Sequence, residues 1–159
     1  MAANEHGWRT GIGLPVMVAL SVLSGSASAA NNPYIGSWAY KQTCGPRHAA
    51  EIRLTQSGEE IVGDWSDGTR SAGSDGHLKG QLREGKLVVR YCSSDERGGY
   101  AVCPSYEAQE SDYFVRADQD LVWFRQVGAG NSRRFERYLV LHPVVGGKAS
   151  VMDSRCTSD

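Results

Sequence analysis

Leu78, Gly80 and Leu82 alternate with His77, Lys79 and Gln81, and after a two-residue Glu84-Gly85 connection Leu87, Val89 and Tyr91 alternate in the same way. Successive side chains of a strand point to opposite faces, so this period of two gives each run one core face and joins the pair as a hairpin. The pattern recurs along the chain. Ile52 and Leu54 stand among Glu51, Arg53 and Thr55; Ser57-Gly58 turns the chain; Ile61, Gly63 and Trp65 then share a face. Tyr113 and Val115, then Leu121, Trp123 and Val127, then Phe135, Leu139 and Leu141 repeat it, with turns over 117–120 and 128–132. Residues 35–41 form the first strand, with Trp38 and Tyr40 on the face of Gly36.

Two stretches interrupt the rhythm. Residues 67–75, rich in Gly, Ser, Thr and Asp, read as a loop ended by an Asp75-Gly76 turn. Residues 92–110 form a polar connection longer than usual, either a lid or a surface loop pinned by a disulfide. About eight strands result, and no amphipathic helix of ten residues or more. Sequential hairpins must hide their outer edges, and closure removes edges, so the fold class expected is all-β: a single antiparallel up-and-down barrel. Eight strands enclose an interior that side chains fill or that holds one small ligand.

The first residues follow a different logic. A polar start with Arg9, an apolar run over 11–23 and Ala27-Ser28-Ala29 have the layout of an export signal over 1–29, cut after Ala29 or Ala30. The run is too short and glycine-rich to span a bilayer, so no transmembrane segment is expected after cleavage. The barrel domain then covers 30–159, in a periplasm or outside the cell. In such an oxidising compartment Cys44, Cys92, Cys103 and Cys156 form two disulfides. Three pairings are open; Cys92 with Cys103 closes a short loop and leaves Cys44 for Cys156. Each bridge contributes roughly 2–4 kcal/mol. Zinc is disfavoured, because no Cys-x-x-Cys pair exists and the histidines are scattered.

Charge and motif content narrow the function. With 17 Lys and Arg against 18 Asp and Glu, the chain has no basic excess for nucleic acid. Neither His-Glu-x-x-His nor Gly-x-Ser-x-Gly nor a phosphate-cradling glycine loop is present, so no catalytic residue, metal or cofactor is assigned. His48, His77 and His142 read as solvated or hydrogen-bonded residues. Arg133, Arg134 and Arg137 interleave with Phe135 and Tyr138, which suits at most an anionic ligand or protein surface.

Gly36-Ser37-Trp38 resembles the Gly-x-Trp motif that opens the lipocalin barrel, and Ser111-Asp112-Tyr113 resembles the later Thr-Asp-Tyr motif with Ser for Thr. Avidin-like barrels share the plan. The lipocalin resemblance implies an arginine packed across the first-strand tryptophan, with Arg137 the matching candidate and Arg125 the runner-up. The chain departs from lipocalins in its short strands and in having no evident helix after the last one.

The function expected is that of an exported non-enzymatic binding protein with a barrel cavity for a small apolar or amphipathic ligand. Trp38, Tyr40, Trp65, Tyr91, Trp123, Phe135, Arg125 and Arg137 are the candidate interior residues. The alternative is a filled barrel that binds another envelope protein, such as a protease or lysozyme, through loops 42–49 and 93–110. Inward Gly63 and Gly80 leave room for a ligand in the first case, and bulky aromatics fill the barrel in the second.

Overall fold

The computed structural model describes residues 32–42, 45, 47–95 and 99–149. The expected export signal, and Cys44 and Cys156 with their pairing, lie outside them. Nine strands follow in chain order: β1 (Gly36–Lys41), β2 (Ala49–Ser57), β3 (Glu60–Gly68), β4 (Gly73–Arg83), β5 (Lys86–Ser93), β6 (Asp112–Ala117), β7 (Asp120–Val127), β8 (Arg134–Val145) and β9 (Lys148–Ala149). Each of the first eight pairs antiparallel with the next, and β1 also pairs with β8 through Trp38 opposite Pro143 and Ala39 opposite His142. The sheet therefore closes as an eight-stranded up-and-down barrel, as the alternation predicts, and β9 only folds back on β8.

The inward positions follow a period of two, but on β6 the expected parity is off by one residue: Phe114, opposite Leu87 and Trp123, takes the core face, and Tyr113 and Val115 face outward. Ile52, Leu54, Ile61, Trp65, Leu78, Leu87, Val89, Tyr91, Phe114, Leu121, Trp123 and Leu141 are all buried and form one cluster with Trp38 and Leu139. At the end carrying the β2–β3, β4–β5 and β6–β7 turns, Trp38 donates its indole Nε1–H to Tyr34 O at 2.9 Å, and the Tyr34 hydroxyl donates to Gly85 O at 2.6 Å. The guanidinium of Arg116 lies 4.4 Å from the Trp38 ring. Arg116 also donates to Asp118 O and Gln119 O, which ties it to the β6–β7 turn. This end is closed.

Two further expectations are corrected. Residues 67–75 are not a loop: β3 runs to Gly68 and β4 starts at Gly73, leaving a turn over 69–72 in which Thr69 N–H donates to Ala72 O at 2.7 Å. Asp75-Gly76 lies inside β4, with Gly76 opposite Ser93. Polar side chains at a barrel rim do not stop the backbone ladder, because sheet preference follows the local surroundings more than composition. The second correction concerns β8. Trp123 opposes Leu139 but Phe124 opposes Arg137, so Tyr138 is an extra residue on β8. Such a bulge reverses the faces on one side of it. Leu139 and Leu141 point inward as expected, whereas Phe135 is 44% exposed and Arg137 is exposed on the outer wall.

Candidate functional site

Among the described residues the opposite end of the barrel is open. A cleft of about 830 Å³ lies there, lined by the ends of β3, β4, β7 and β8, by His48 ahead of β2 and by Asp95 and Tyr100 of the β5–β6 connection. Its volume is in the range of small-molecule sites.

Asp67, at the end of β3, organises the polar wall. Its Oδ2 accepts the Tyr138 hydroxyl at 2.8 Å and Arg125 Nη2 at 3.0 Å, and its Oδ1 lies 2.6 Å from His48 Nε2. Because a carboxylate only accepts, His48 Nε2 carries the proton, and its 3.3 Å approach to the Tyr138 oxygen is a second, weaker donation. Burial and the bond to Asp67 push the Tyr138 phenol well above its ordinary range, against the opposing charge of Arg125, so it remains a neutral donor. Tyr138 reaches this wall because the β8 bulge turns it inward.

Arg125 sits at the centre. Its guanidinium is 4.1 Å from the Tyr138 ring and 5.0 Å from the Trp123 ring, and Nη2 also donates to the Tyr100 hydroxyl at 3.3 Å. Its Nε is 3.8 Å from Asp112 Oδ2. Burial works against its charge, but Tyr100, Tyr138, Asp67 and Asp112 outweigh burial and hold it more firmly protonated than usual. The side chain is still 27% exposed to the cleft.

Below Arg125 lies Asp112, buried at the start of β6. It accepts the Trp123 indole N–H at 2.7 Å, the Gln126 backbone N–H at 3.0 Å and the Tyr91 hydroxyl at 3.3 Å. Desolvation raises its carboxyl above the usual range, and the Gln126 and Trp123 donors pull against that rise. Burial first, and the Asp112 charge second, likewise raise the Tyr91 phenol. Among the described residues no buried side-chain nitrogen or oxygen lacks a partner, so this polar layer is preorganised.

The apolar wall is aromatic. Tyr100 stands with its ring 4.7 Å from Trp65 and 5.8 Å from Tyr91. The loop that carries it is tied by a Cys92–Cys103 disulfide and by Ser93 N–H donating to Ala101 O at 2.8 Å. Residues 92–110 thus include a disulfide-pinned loop, one of the two forms expected.

The structure brings Trp65, Tyr91, Trp123 and Arg125 together with this site. Tyr40 joins its edge through a 5.3 Å ring contact to His48. Trp38 belongs to the closed end, and Phe135 and Arg137 face outward. The arginine across Trp38 is neither Arg137 nor Arg125 but Arg116, which the β6–β7 turn holds in place. Gly63 and Gly80 create no space: a Cβ at Gly63 would collide with the Arg53 carbonyl, and one at Gly80 would meet Val88 O, Val89 Cγ1 and Leu87 Cδ1. They allow close approach of neighbouring strands, and the barrel interior is packed with side chains. Asp67, Asp112, Tyr138, Tyr100 and His48 were not among the candidate interior residues; the signals near them were the Ser111-Asp112-Tyr113 motif, the loops 42–49 and 93–110 that hold His48 and Tyr100, and the arginine run that holds Tyr138.

Among the described residues no helix is long and apolar enough to cross a membrane, and no group of three or more His, Cys, Asp or Glu is placed to hold a metal ion. No protein-family model, curated protein or solved structure matches this chain. The closed eight-stranded antiparallel barrel is consistent with a calycin-like fold.

Proposed function

We propose that the chain is an exported, non-enzymatic binding protein that holds a small amphipathic molecule in the open mouth of its barrel. The observation that carries this reading is the contrast between a packed interior and a preorganised cleft above it, with aromatic Trp65, Tyr100 and Tyr138 beside Asp67, Arg125 and His48. Aromatic faces take the apolar part of such a ligand, and a few fixed polar groups orient the rest. Arg125 is the main donor, because Nη2 is committed to Asp67 and Tyr100 while its exposed side faces the cleft. A purely apolar ligand inside the barrel is less well supported, since the interior is filled. Export is supported by the layout of residues 1–29 and by the Cys92–Cys103 bridge.

A second reading is favoured by the pinned loop at the rim: a side chain of an envelope protein enters the same cleft, with Tyr100 and the rest of that loop making the contact. Native mass spectrometry of protein purified from an exporting host separates the two. The small-molecule reading expects a retained adduct that disappears in Asp67→Asn. Empty wild-type protein overturns it and leaves the protein-partner reading.

A further inference from the structure

The outer wall over β5 to β8 carries a second feature, independent of the mouth. Tyr113 and Phe124 stack at 4.8 Å with their rings 12° apart, and Phe135 meets Tyr113 edge-on at 4.9 Å. Arg137 opposes Phe124 across the β7–β8 ladder, so it stands on the same face. Lys86 Nζ lies 4.9 Å from the Tyr113 ring on the other flank. Val88 and Val115 extend the apolar strip, being the neighbours of Tyr113 and Lys86 in the β5–β6 ladder. Outward strand positions on this wall also include Arg90; Asp120 there is bound to His142 Nδ1 at 2.9 Å, and the neighbouring carboxylates Glu110 and Glu136 are paired with Arg83 and Arg134 at 2.7 and 2.6 Å. Arg133, just ahead of β8, is bonded to the neutral Gln109. The wall is thus aromatic at its centre and cationic at its edges, on a chain whose net charge is −1.

We propose that this wall docks an acidic surface or segment of another protein. Aromatic residues and arginine are the side chains most enriched at the centres of protein interfaces. The cations select an acidic partner by complementarity. A second copy is disfavoured: a two-fold contact would place like-charged Lys86 and Arg137 edges against each other. A bilayer is disfavoured too, since Tyr113 and Phe124 are only partly exposed and are stacked on each other, which leaves Phe135 as the one exposed ring of the three.

The test uses the full chain and a fluorescein-labelled peptide that alternates glutamate with tryptophan, beside its glutamine counterpart, with binding read by anisotropy. The expected result is binding of the glutamate peptide that weakens as salt rises and falls about tenfold in Arg137→Glu. Phe135→Ser loses binding as well, and both variants keep the wild-type melting curve because both side chains are exposed. Equal binding of the glutamine peptide, no salt-dependent binding, or wild-type binding by Arg137→Glu overturns the proposal. So does binding to phosphatidylglycerol vesicles in place of the peptide, a dimer that Arg137→Glu disperses, or peptide binding that appears only after removal of residues 150–159.

Discussion

Each end of the barrel places an arginine over a tryptophan, yet the two pairs do different work. Arg116 covers Trp38 and gives its hydrogen bonds to the carbonyls of its own turn, so the pair is self-contained and the end is shut. Arg125 covers Trp123 and Tyr138, but it bonds Asp67 on β3 and Tyr100 on the β5–β6 loop, and it faces a cleft. The same side chains make a plug when their donors are satisfied locally. They make a site when the donors are held by side chains from several strands and part of the cation stays open to solvent.

That contrast predicts unequal responses to mutation. The largest effect is expected for Arg125→Ala, which leaves Asp67 and Asp112 without their shared cation and costs about 2–3 kcal/mol in urea unfolding, since the arginine is only partly buried. Ligand binding should vanish with it. Asp112→Asn should cost about 2 kcal/mol, because one oxygen becomes an amide that faces either the Trp123 or the Gln126 N–H. Arg116→Ala is expected to cost about 1 kcal/mol and to leave the mouth unaffected. If Arg116→Ala abolished binding or proved costlier than Arg125→Ala, the division into plug and site would break.

The smallest effect sharpens the comparison through pH. Tyr138→Phe should cost about 0.5–1 kcal/mol at neutral pH. The native phenol ionises above its ordinary value of 10.0, so the folded state holds the proton longer than the unfolded chain. Its contribution is full below pH 10 and is lost as pH rises beyond it, so the wild-type loss of stability under alkali should shrink in Tyr138→Phe. Asp112 carries the same sign at acid pH. Its raised value means that stability falls as pH rises from the ordinary aspartate value of 3.8 through the folded-state one, a trend absent from Asp112→Asn. Unfolding curves across pH check both signs.

The barrel was legible because a period of two needs only neighbouring residues, and Leu78, Leu87, Val89, Leu121 and Leu141 all face the core as that period requires. The site was less so. Asp67 meets Arg125 and Tyr138 across 58 and 71 residues of chain, and His48 meets Tyr138 across 90. No local pattern encodes such contacts. The β8 bulge removed what parity offered: counted back from Leu139, Phe135 and Arg137 fall inside, and one extra residue at Tyr138 moves them out and brings the tyrosine in. The first-strand tryptophan is buried, but its arginine comes from β6, where no motif marks Arg116.

The most direct test of the account is a titration of the protein with the amphipathic probe 8-anilinonaphthalene-1-sulfonate, followed through the indole N–H signals in nitrogen–proton NMR spectra. Trp65 and Trp123 belong to the open end and Trp38 to the closed one. Binding at the mouth shifts the Trp65 and Trp123 signals and leaves Trp38 unmoved. A shift at Trp38 as large as theirs, or no shift at any indole, would contradict a packed barrel that binds at its mouth.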